Sequence, residues 1–259
     1  MISTRIRPRA LRPQNPRPRA LHPRILRRGA ALLLALLAAL PATEAVARSE
    51  TDDVGLRAPG GHAAGCAART SPYQRQAERW LDLRVDGTSS RGDCLAVRDF
   101  QKQHRIKPAN GYVGVATWGT MRLLSARRNP NAAGKCPVRS YRVACVDLGR
   151  QLTWVQKGRK VVYGPVPMRS GKPGYRTRTG WFRIYWKHKN HWSTIYHAPM
   201  PYAQFFSGGQ AFHAVGGSVY NLRGGSYGCV NLRKSDARRL WSVLKKNDRV
   251  YVWGRRPGT

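Results

Sequence analysis

The stretch "GGSYGCVNL" (Gly224–Leu232) places a single cysteine behind glycines and a serine in a chain of 259 residues. Gly228 directly precedes Cys229, and a glycine there lets the backbone turn so that main-chain N–H groups face a substrate oxygen. Arg223 and Arg233 flank the stretch. Because a positive setting lowers the pKa of a thiol, the pattern favours a reactive cysteine over a packed or disulfide-bonded one.

A histidine that could act on this thiol lies upstream. The segment "QAFHA" (Gln210–Ala214) has the pattern of a strand end, and fifteen residues separate His213 from Cys229. Glycine pairs within that interval suit a loop that brings the two side chains together. A cysteine and a histidine are the minimum for nucleophilic acyl transfer, so His213 is predicted to be the base. The other histidines of this region are assigned to the surface or an aromatic core: His188, His191 and His197.

Acidic side chains are absent from the sequence between Asp147 and Asp236. Glycoside hydrolysis by paired carboxylates therefore cannot take place within that interval. A zinc peptidase with a glutamate base is excluded on the same ground, and no H-E-x-x-H pattern occurs. A backbone carbonyl is then the simplest group to orient the histidine. Neither a metal nor an organic cofactor is expected.

The N-terminal residues 1–47 have the pattern of a signal peptide. A segment with nine arginines precedes the apolar run Ala30–Leu40, and "AVA" (Ala45–Ala47) follows as a cleavage site. The apolar run is short for a membrane span, although a retained anchor stays an alternative. We expect a secreted protein of the cell wall or periplasm, with no stable membrane span after cleavage.

The formal charge of the chain is +35, and removal of residues 1–47 leaves +27 on 212 residues. So positive a protein predicts an anionic partner. Nucleic acid is one candidate and anionic cell-wall polymers are another. The signal peptide and the lack of a recognisable nucleic-acid fold favour the wall, with no nucleic acid as partner.

Five cysteines follow the expected cleavage site, and an exported protein tends to pair its cysteines. The odd number leaves one free, and sequence alone does not fix the connectivity. We favour the pairs Cys66–Cys94 and Cys136–Cys145, since each pair would then lie within one domain. Cys229 would then remain a free thiol.

Composition divides the rest of the chain into four parts. Residues 48–70 form an Ala- and Gly-rich linker, and residues 71–126 contain three short segments with helical apolar stripes. Residues 127–137 form a second linker, and residues 138–255 are rich in short, β-branched and aromatic segments. The expected fold is a small all-α three-helix domain followed by a mostly β, β-sandwich-like domain with one packed helix. That helix, which Ser235 could cap, has the stripe Ala237, Leu240, Trp241 and Leu244.

The three-helix region resembles the peptidoglycan-binding domain of many wall enzymes. The resemblance rests on "VDG" (Val85–Gly87), "AVRDFQ" (Ala96–Gln101) and "NGYVGVATW" (Asn110–Trp118), in that order. It implies that residues 71–126 attach the protein to the wall.

The β region resembles the L,D-transpeptidase (YkuD-type) catalytic domain. The resemblance rests on His213 followed by "SYGCVN" (Ser226–Asn231), on "SGKPGYRTRTGWFRI" (Ser170–Ile184) and on "APMPYAQFF" (Ala198–Phe206). It implies acyl transfer on peptidoglycan stem peptides, with residues 138–255 as the catalytic domain.

The resemblance also implies roles for single residues. Cys229 would be the nucleophile and His213 its proton acceptor. The backbone N–H groups of Gly228 and Cys229 would line the oxyanion hole, and Ser226 would brace the loop. Candidates for substrate binding are Arg223, Tyr227, Asn231 and Arg233.

Three positions depart from the commonest form of the family's pattern. Ala214 stands where glycine usually follows the histidine, and Tyr227 stands where histidine is frequent. Asn231 occupies a position that is often arginine, so the way in which this position would contact substrate is in question. None of the three removes the thiol or the imidazole.

The implied reaction releases D-Ala from a tetrapeptide stem and joins the acyl group to a second stem, which forms a 3→3 cross-link. With water as the acceptor, the protein would be an L,D-carboxypeptidase. A non-catalytic peptidoglycan-binding protein and a basic polyanion binder are the remaining alternatives.

Overall fold

The computed structural model of the chain describes Cys66, residues 69–221 and residues 224–259. The expected signal peptide, nearly all of the first linker and Arg223 lie outside these residues. The described residues form four helices and nine strands. No helix among them is long and apolar enough to cross a membrane.

Three helices make up the N-terminal part of the described chain: α1 (Gln74–Leu81), α2 (Arg91–Gln103) and α3 (Val115–Ala126). Their apolar stripes meet in one small core that contains Ala77, Val97, Phe100, Val113 and Met121. A core of this size is marginal alone, and a disulfide between Cys66 and Cys94 of α2 adds a covalent link.

The start of α2 is fixed by reciprocal hydrogen bonds. The Ser90 hydroxyl accepts from the Asp93 N–H at 3.1 Å, while the Ser90 N–H donates to the Asp93 carboxylate at 2.9 Å. This capping box satisfies two backbone donors that the first turn would otherwise leave unpaired.

Residues beyond the helices form two β-sheets that pack face to face. The nine strands are β1 (Arg142–Asp147), β2 (Leu152–Lys157), β3 (Lys160–Pro167), β4 (Gly180–Arg183), β5 (Trp186–Ser193), β6 (Ala198–Ser207), β7 (Gln210–Ala214), β8 (Val230–Leu232) and β9 (Arg249–Trp253). The first sheet has the order β3-β2-β1-β9-β4 and the second the order β5-β6-β7-β8. Within them β1 pairs with β9, and β7 with β8, in parallel.

The main core lies between these sheets and is closed by the helix α4 (Lys234–Val243). Ala237, Leu240 and Leu244 of the predicted stripe are fully buried in it, whereas Trp241 is only partly buried. The expected cap is wrong, because the helix begins at Lys234 with Arg233 as its N-cap and no side-chain cap bond. The mostly β architecture with one packed helix is confirmed for this part of the chain.

The sequence missed strand β5, whose residues "WKHKNHWS" are largely polar. It forms the edge of the second sheet, and most of its side chains are exposed. An edge strand that faces water carries no buried stripe, so the alternating apolar signal of a half-buried strand is absent.

The disulfides observed are Cys66–Cys94 and Cys136–Cys145, and Cys229 is a free thiol. These are the pairs that the sequence favoured. The second bridge attaches the segment after α3 to β1, on the face of the first sheet that is turned away from the main core.

We expect Ser90→Ala to lower the free energy of unfolding by about 1 kcal/mol, because it removes the N-cap hydroxyl of α2. The neighbouring Ser89→Ala is the matched control and should leave stability unchanged. Urea denaturation followed by circular dichroism measures both. Equal effects of the two substitutions would show that the capping box contributes nothing.

Candidate active site

Parallel pairing of β7 and β8 brings His213 and the cysteine loop together. In the register of the two strands His213 lies opposite Asn231. Paired residues project to the same face of a sheet, as do residues two apart along a strand. Asn231 and, two positions earlier, Cys229 therefore lie on the face that carries His213.

These side chains open into one cleft of about 690 Å³. Among the residues predicted for the site, its lining contains Cys229, His213, Ser226, Tyr227 and Asn231. None of the described residues that line it is acidic. Three of them are arginines: Arg169, Arg176 and Arg178. The cleft therefore suits a ligand with carboxylate groups.

The loop before the thiol is held by its own serine. The Ser226 hydroxyl donates to the Cys229 carbonyl at 2.5 Å and accepts from the Gly228 N–H at 3.0 Å. Thr177 adds a hydrogen bond from its hydroxyl to the Gly228 carbonyl at 2.8 Å. These three hydrogen bonds give the loop a defined shape.

The expectation for Gly228 needs correction. Its N–H donates to the Ser226 hydroxyl, so it is engaged within the loop, and the Cys229 N–H is the remaining donor of the expected oxyanion hole. What requires glycine here is the backbone conformation, with φ of 108°. In addition, a Cβ at this position would lie 2.3 Å from the side-chain nitrogen of Gln210.

His213 is held at both ring nitrogens. Nδ1 donates to the Ala214 carbonyl at 2.9 Å, so a backbone carbonyl orients the ring as the sequence suggested. Nε2 accepts from the Asn231 side-chain amide at 2.8 Å. The Arg169 guanidinium bonds to the Asn231 oxygen at 3.2 Å, which fixes the amide with its nitrogen toward the imidazole.

Asn231 therefore differs from the substrate-binding residue that was expected. Although it lies at the cleft, its side chain is engaged with His213 and Arg169, and the residue is only 3% exposed. The structure gives Asn231 a role in orienting the histidine. Sequence reasoning missed this role because the contact depends on the parallel register of β7 and β8.

Burial sets the protonation states of the two central groups. Burial raises the pKa of the Cys229 thiol above its ordinary value, although a hydrogen bond from the Ala211 backbone opposes the shift. Burial also lowers the pKa of His213 to about 4. At neutral pH the site therefore contains a protonated thiol and a neutral imidazole.

The expectation that positive neighbours lower the pKa of the thiol is wrong, because desolvation disfavours the thiolate more strongly. Cys229 packs among Met200, Ala203, Phe205 and Ala211. Its thiol is placed to donate to the Gly209 carbonyl, 3.8 Å away.

The two remaining candidates for substrate binding lie in different places. Arg233 is not part of the cleft lining, and its guanidinium lies 5.4 Å from the centroid of the Tyr220 ring. Tyr227 does line it and stacks on Tyr196, with 4.4 Å between ring centroids. The rings of Tyr175 and Tyr227 form a T-shaped pair with 4.7 Å between centroids, so three half-exposed tyrosines form an aromatic rim.

Three arginines of the cleft lining and one lysine at its aromatic rim were not singled out as binding candidates from the sequence: Arg169, Arg176, Arg178 and Lys172. The Lys172 ammonium lies 4.0 Å from the Tyr227 centroid, over the aromatic rim. All four belong to or directly precede the basic stretch "SGKPGYRTRTG". The sequence showed that these residues are positively charged, but it did not show that they lie at the cleft.

We expect Asn231→Ala to raise the pKa of His213, because it removes a hydrogen bond that stabilises the neutral imidazole. The exposed Asn190→Ala on β5 is the matched control and should leave that pKa unchanged. Titration of the His213 ring by NMR measures it. An unchanged pKa in Asn231→Ala would contradict the orienting role of the amide.

The family model of the YkuD L,D-transpeptidase catalytic domain matches residues 141–252 of this chain. The crystal structure of an L,D-transpeptidase from Stackebrandtia nassauensis is 34% identical, covering 75% of this chain and 96% of that chain, with a TM-score of 0.56. No curated protein matches the chain.

Two further solved structures are similar at lower levels. An L,D-transpeptidase from Xylanimonas cellulosilytica is 24% identical over 73% of this chain and 96% of that chain, with a TM-score of 0.40. A mutant L,D-transpeptidase from Enterococcus faecium is 25% identical over 44% and 50%, with a TM-score of 0.39. These TM-scores are too low to support an argument, so the assignment rests on the family model and the Stackebrandtia structure. On these two findings the chain belongs to the L,D-transpeptidase family and carries its YkuD catalytic domain over residues 141–252.

Proposed function

We propose that this protein forms 3→3 cross-links in peptidoglycan by cysteine acyl transfer from a tetrapeptide stem. The observation that carries the proposal is one cleft that contains the free thiol of Cys229, the imidazole of His213 and no acidic residue among its described lining. Family membership supports a cell-wall L,D-transpeptidase activity at the coarser level.

The cleft matches the chemistry of this substrate. A stem peptide ends in a carboxylate and its diamino acid can carry another, and Arg169, Arg176 and Arg178 can receive such groups. The aromatic rim of Tyr175, Tyr196 and Tyr227 offers apolar faces beside them. These arginines and tyrosines form the proposed binding site for the donor stem.

The first half-reaction forms a thioester. His213 accepts the Cys229 proton as sulfur attacks the carbonyl carbon between the third residue and the terminal D-Ala. The Cys229 N–H stabilises the oxyanion, a contact typically worth about 3–4 kcal/mol. The C–N bond then breaks, and His213 returns its proton to the D-Ala amine.

The second half-reaction regenerates the enzyme. The side-chain amine of a second stem loses a proton to His213 and attacks the thioester carbonyl. The new amide forms as the thiolate leaves, and His213 reprotonates sulfur. Water in place of the amine would give L,D-carboxypeptidase activity.

Proton transfer to His213 requires a change at the imidazole. Its Nε2 lone pair accepts from Asn231 in the structure, so the ring must exchange this partner before it takes the thiol proton. A neutral thiol and imidazole avoid a buried ion pair in the resting enzyme, and charge develops only as the reaction proceeds. The Asn231 contact would hold the base neutral until then.

We also propose that the protein is exported and attached to the wall. Its resemblance to peptidoglycan-binding domains supports this role for the helices, and the positive charge supports retention by anionic wall polymers. Such retention would weaken at high salt because the charges are screened.

We expect Cys229→Ala and His213→Ala to abolish release of D-Ala from a disaccharide tetrapeptide, because each removes one partner of the acyl transfer. The control is His197→Asn at an exposed position. Because His197 has a positive φ, which asparagine tolerates, this variant should keep the activity of the wild type. Mass spectrometry detects the products.

The same products decide between the alternatives. A cross-linked dimer indicates transpeptidation, and tripeptide alone indicates carboxypeptidase activity. Persistent D-Ala release by Cys229→Ala would refute the thiol mechanism. Absence of release by the wild-type protein with a free Cys229 thiol would favour a non-catalytic binding protein.

The pH dependence of turnover follows from the buried histidine. His213 must be neutral to accept the thiol proton, and its pKa is lowered to about 4. The acid limb of kcat/KM should therefore fall near pH 4 and not near the ordinary histidine value of 6.5. A limb at that higher value in the wild type would mean that His213 is not the base or is not desolvated.

A further inference from the structure

A glycine in the middle of helix α3 marks a contact with the cysteine loop. Gly119 is buried, and a Cβ at its position would lie 2.6 Å from the Cδ1 and Cε1 atoms of Tyr220. Glycine inside a helix costs about 1 kcal/mol relative to alanine. Its presence here is explained by the tyrosine ring, which occupies the space that a larger side chain would need.

Tyr220 lies on the connection between β7 and β8 that leads to Cys229. One side of its ring meets α3, and the Arg233 guanidinium lies 5.4 Å from the ring centroid. Arg233 directly follows β8 and is the N-cap of α4. The Tyr220 ring thus contacts both α3 and Arg233, the residue that follows β8.

The rest of the contact holds α3 firmly on the first sheet. Leu123 and Ala126 form a buried cluster with Leu152 of β2. The Arg122 guanidinium donates to the Gly149 carbonyl at 3.2 Å. Residues of both surfaces line one small cavity of about 10 Å³, among them Gly119, Leu152 and Tyr220.

Other anchors hold the connection on the side of the cleft. The Arg256 guanidinium donates to the Gly224 carbonyl at 3.2 Å, and the Ser226 N–H donates to the Ser170 carbonyl at 3.1 Å. The contact of Tyr220 differs from these, because its partner, Gly119, belongs to helix α3. The connection that leads to Cys229 thus contacts a residue outside the catalytic domain.

We infer that the helical part positions the catalytic loop through Tyr220 seated at Gly119, in addition to any attachment to the wall. Tyr220 is a positioning residue, and the inference deepens the function proposed above and rests on it. It follows that turnover of a small soluble stem peptide, which needs no wall attachment, still depends on the Gly119–Tyr220 contact.

The test compares two Gly→Ala substitutions in helices of the purified full chain. Gly119→Ala places a methyl group against Tyr220, whereas a Cβ at Gly92 in α2 meets its nearest atom at an ordinary 3.7 Å. We expect Gly119→Ala to lower kcat for D-Ala release by about fivefold or more, while Gly92→Ala stays within about twofold of the wild type. Equal activity of the two variants would overturn the inference.

A double-mutant cycle separates this contact from general destabilisation. Tyr220→Ala should lower kcat and change the rate at which iodoacetamide alkylates Cys229, and Tyr220→Phe should restore both because it keeps the ring. In the Tyr220→Ala background, Gly119→Ala should have no further effect, since the two residues act through one contact. Additive effects of Gly119→Ala and Tyr220→Ala would contradict it.

The alkylation rate keeps this test independent of the proposed reaction. If the wild type releases no D-Ala, the proposed function fails, and the cycle on Cys229 alkylation still decides the positioning role. If D-Ala is released but the alkylation rates of all variants equal that of the wild type, the positioning role fails and the proposed function stands.

Discussion

The parallel pairing of β7 with β8 is the constraint on which the site depends. It places His213 opposite Asn231 and brings the residue just before β8, Cys229, to the same cleft. A parallel pair requires a long connection between its strands, and here that connection contains the loop that shapes the site. One pairing thus fixes the positions of the thiol, the imidazole and the amide, and it anchors both ends of the loop.

Burial on this sheet decides the chemical state of the two reactive groups. Both the thiol and the imidazole are desolvated, so each is held in its neutral form at neutral pH. The Asn231 amide reinforces this for His213, and the Arg169 guanidinium fixes that amide. The site therefore stores no buried ion pair. Arginines line the cleft instead, where the proposed anionic ligand would supply the opposite charge.

The helical and β parts are not connected by the linker alone. Gly119, Arg122 and Leu123 of α3 contact residues that belong to or support the catalytic region. Gly119 is unfavourable for α3 by itself. Its presence is explained by the Tyr220 ring, which occupies the space that a larger side chain would need. Wall attachment and catalytic geometry would in this way share one helix.

The sequence by itself predicted the mostly β domain with its packed helix and identified the cysteine and the histidine of the site; it favoured the observed cysteine pairs without fixing them. These follow from local patterns such as the α4 stripe, and from the odd number of cysteines. It did not yield the polar edge strand β5, the engagement of the Gly228 N–H by Ser226 or the raised pKa of Cys229. Only the tertiary structure decided these, because hydrogen-bond partners and desolvation depend on which segments meet across a sheet, and residues far apart in sequence carry no local signal of that meeting.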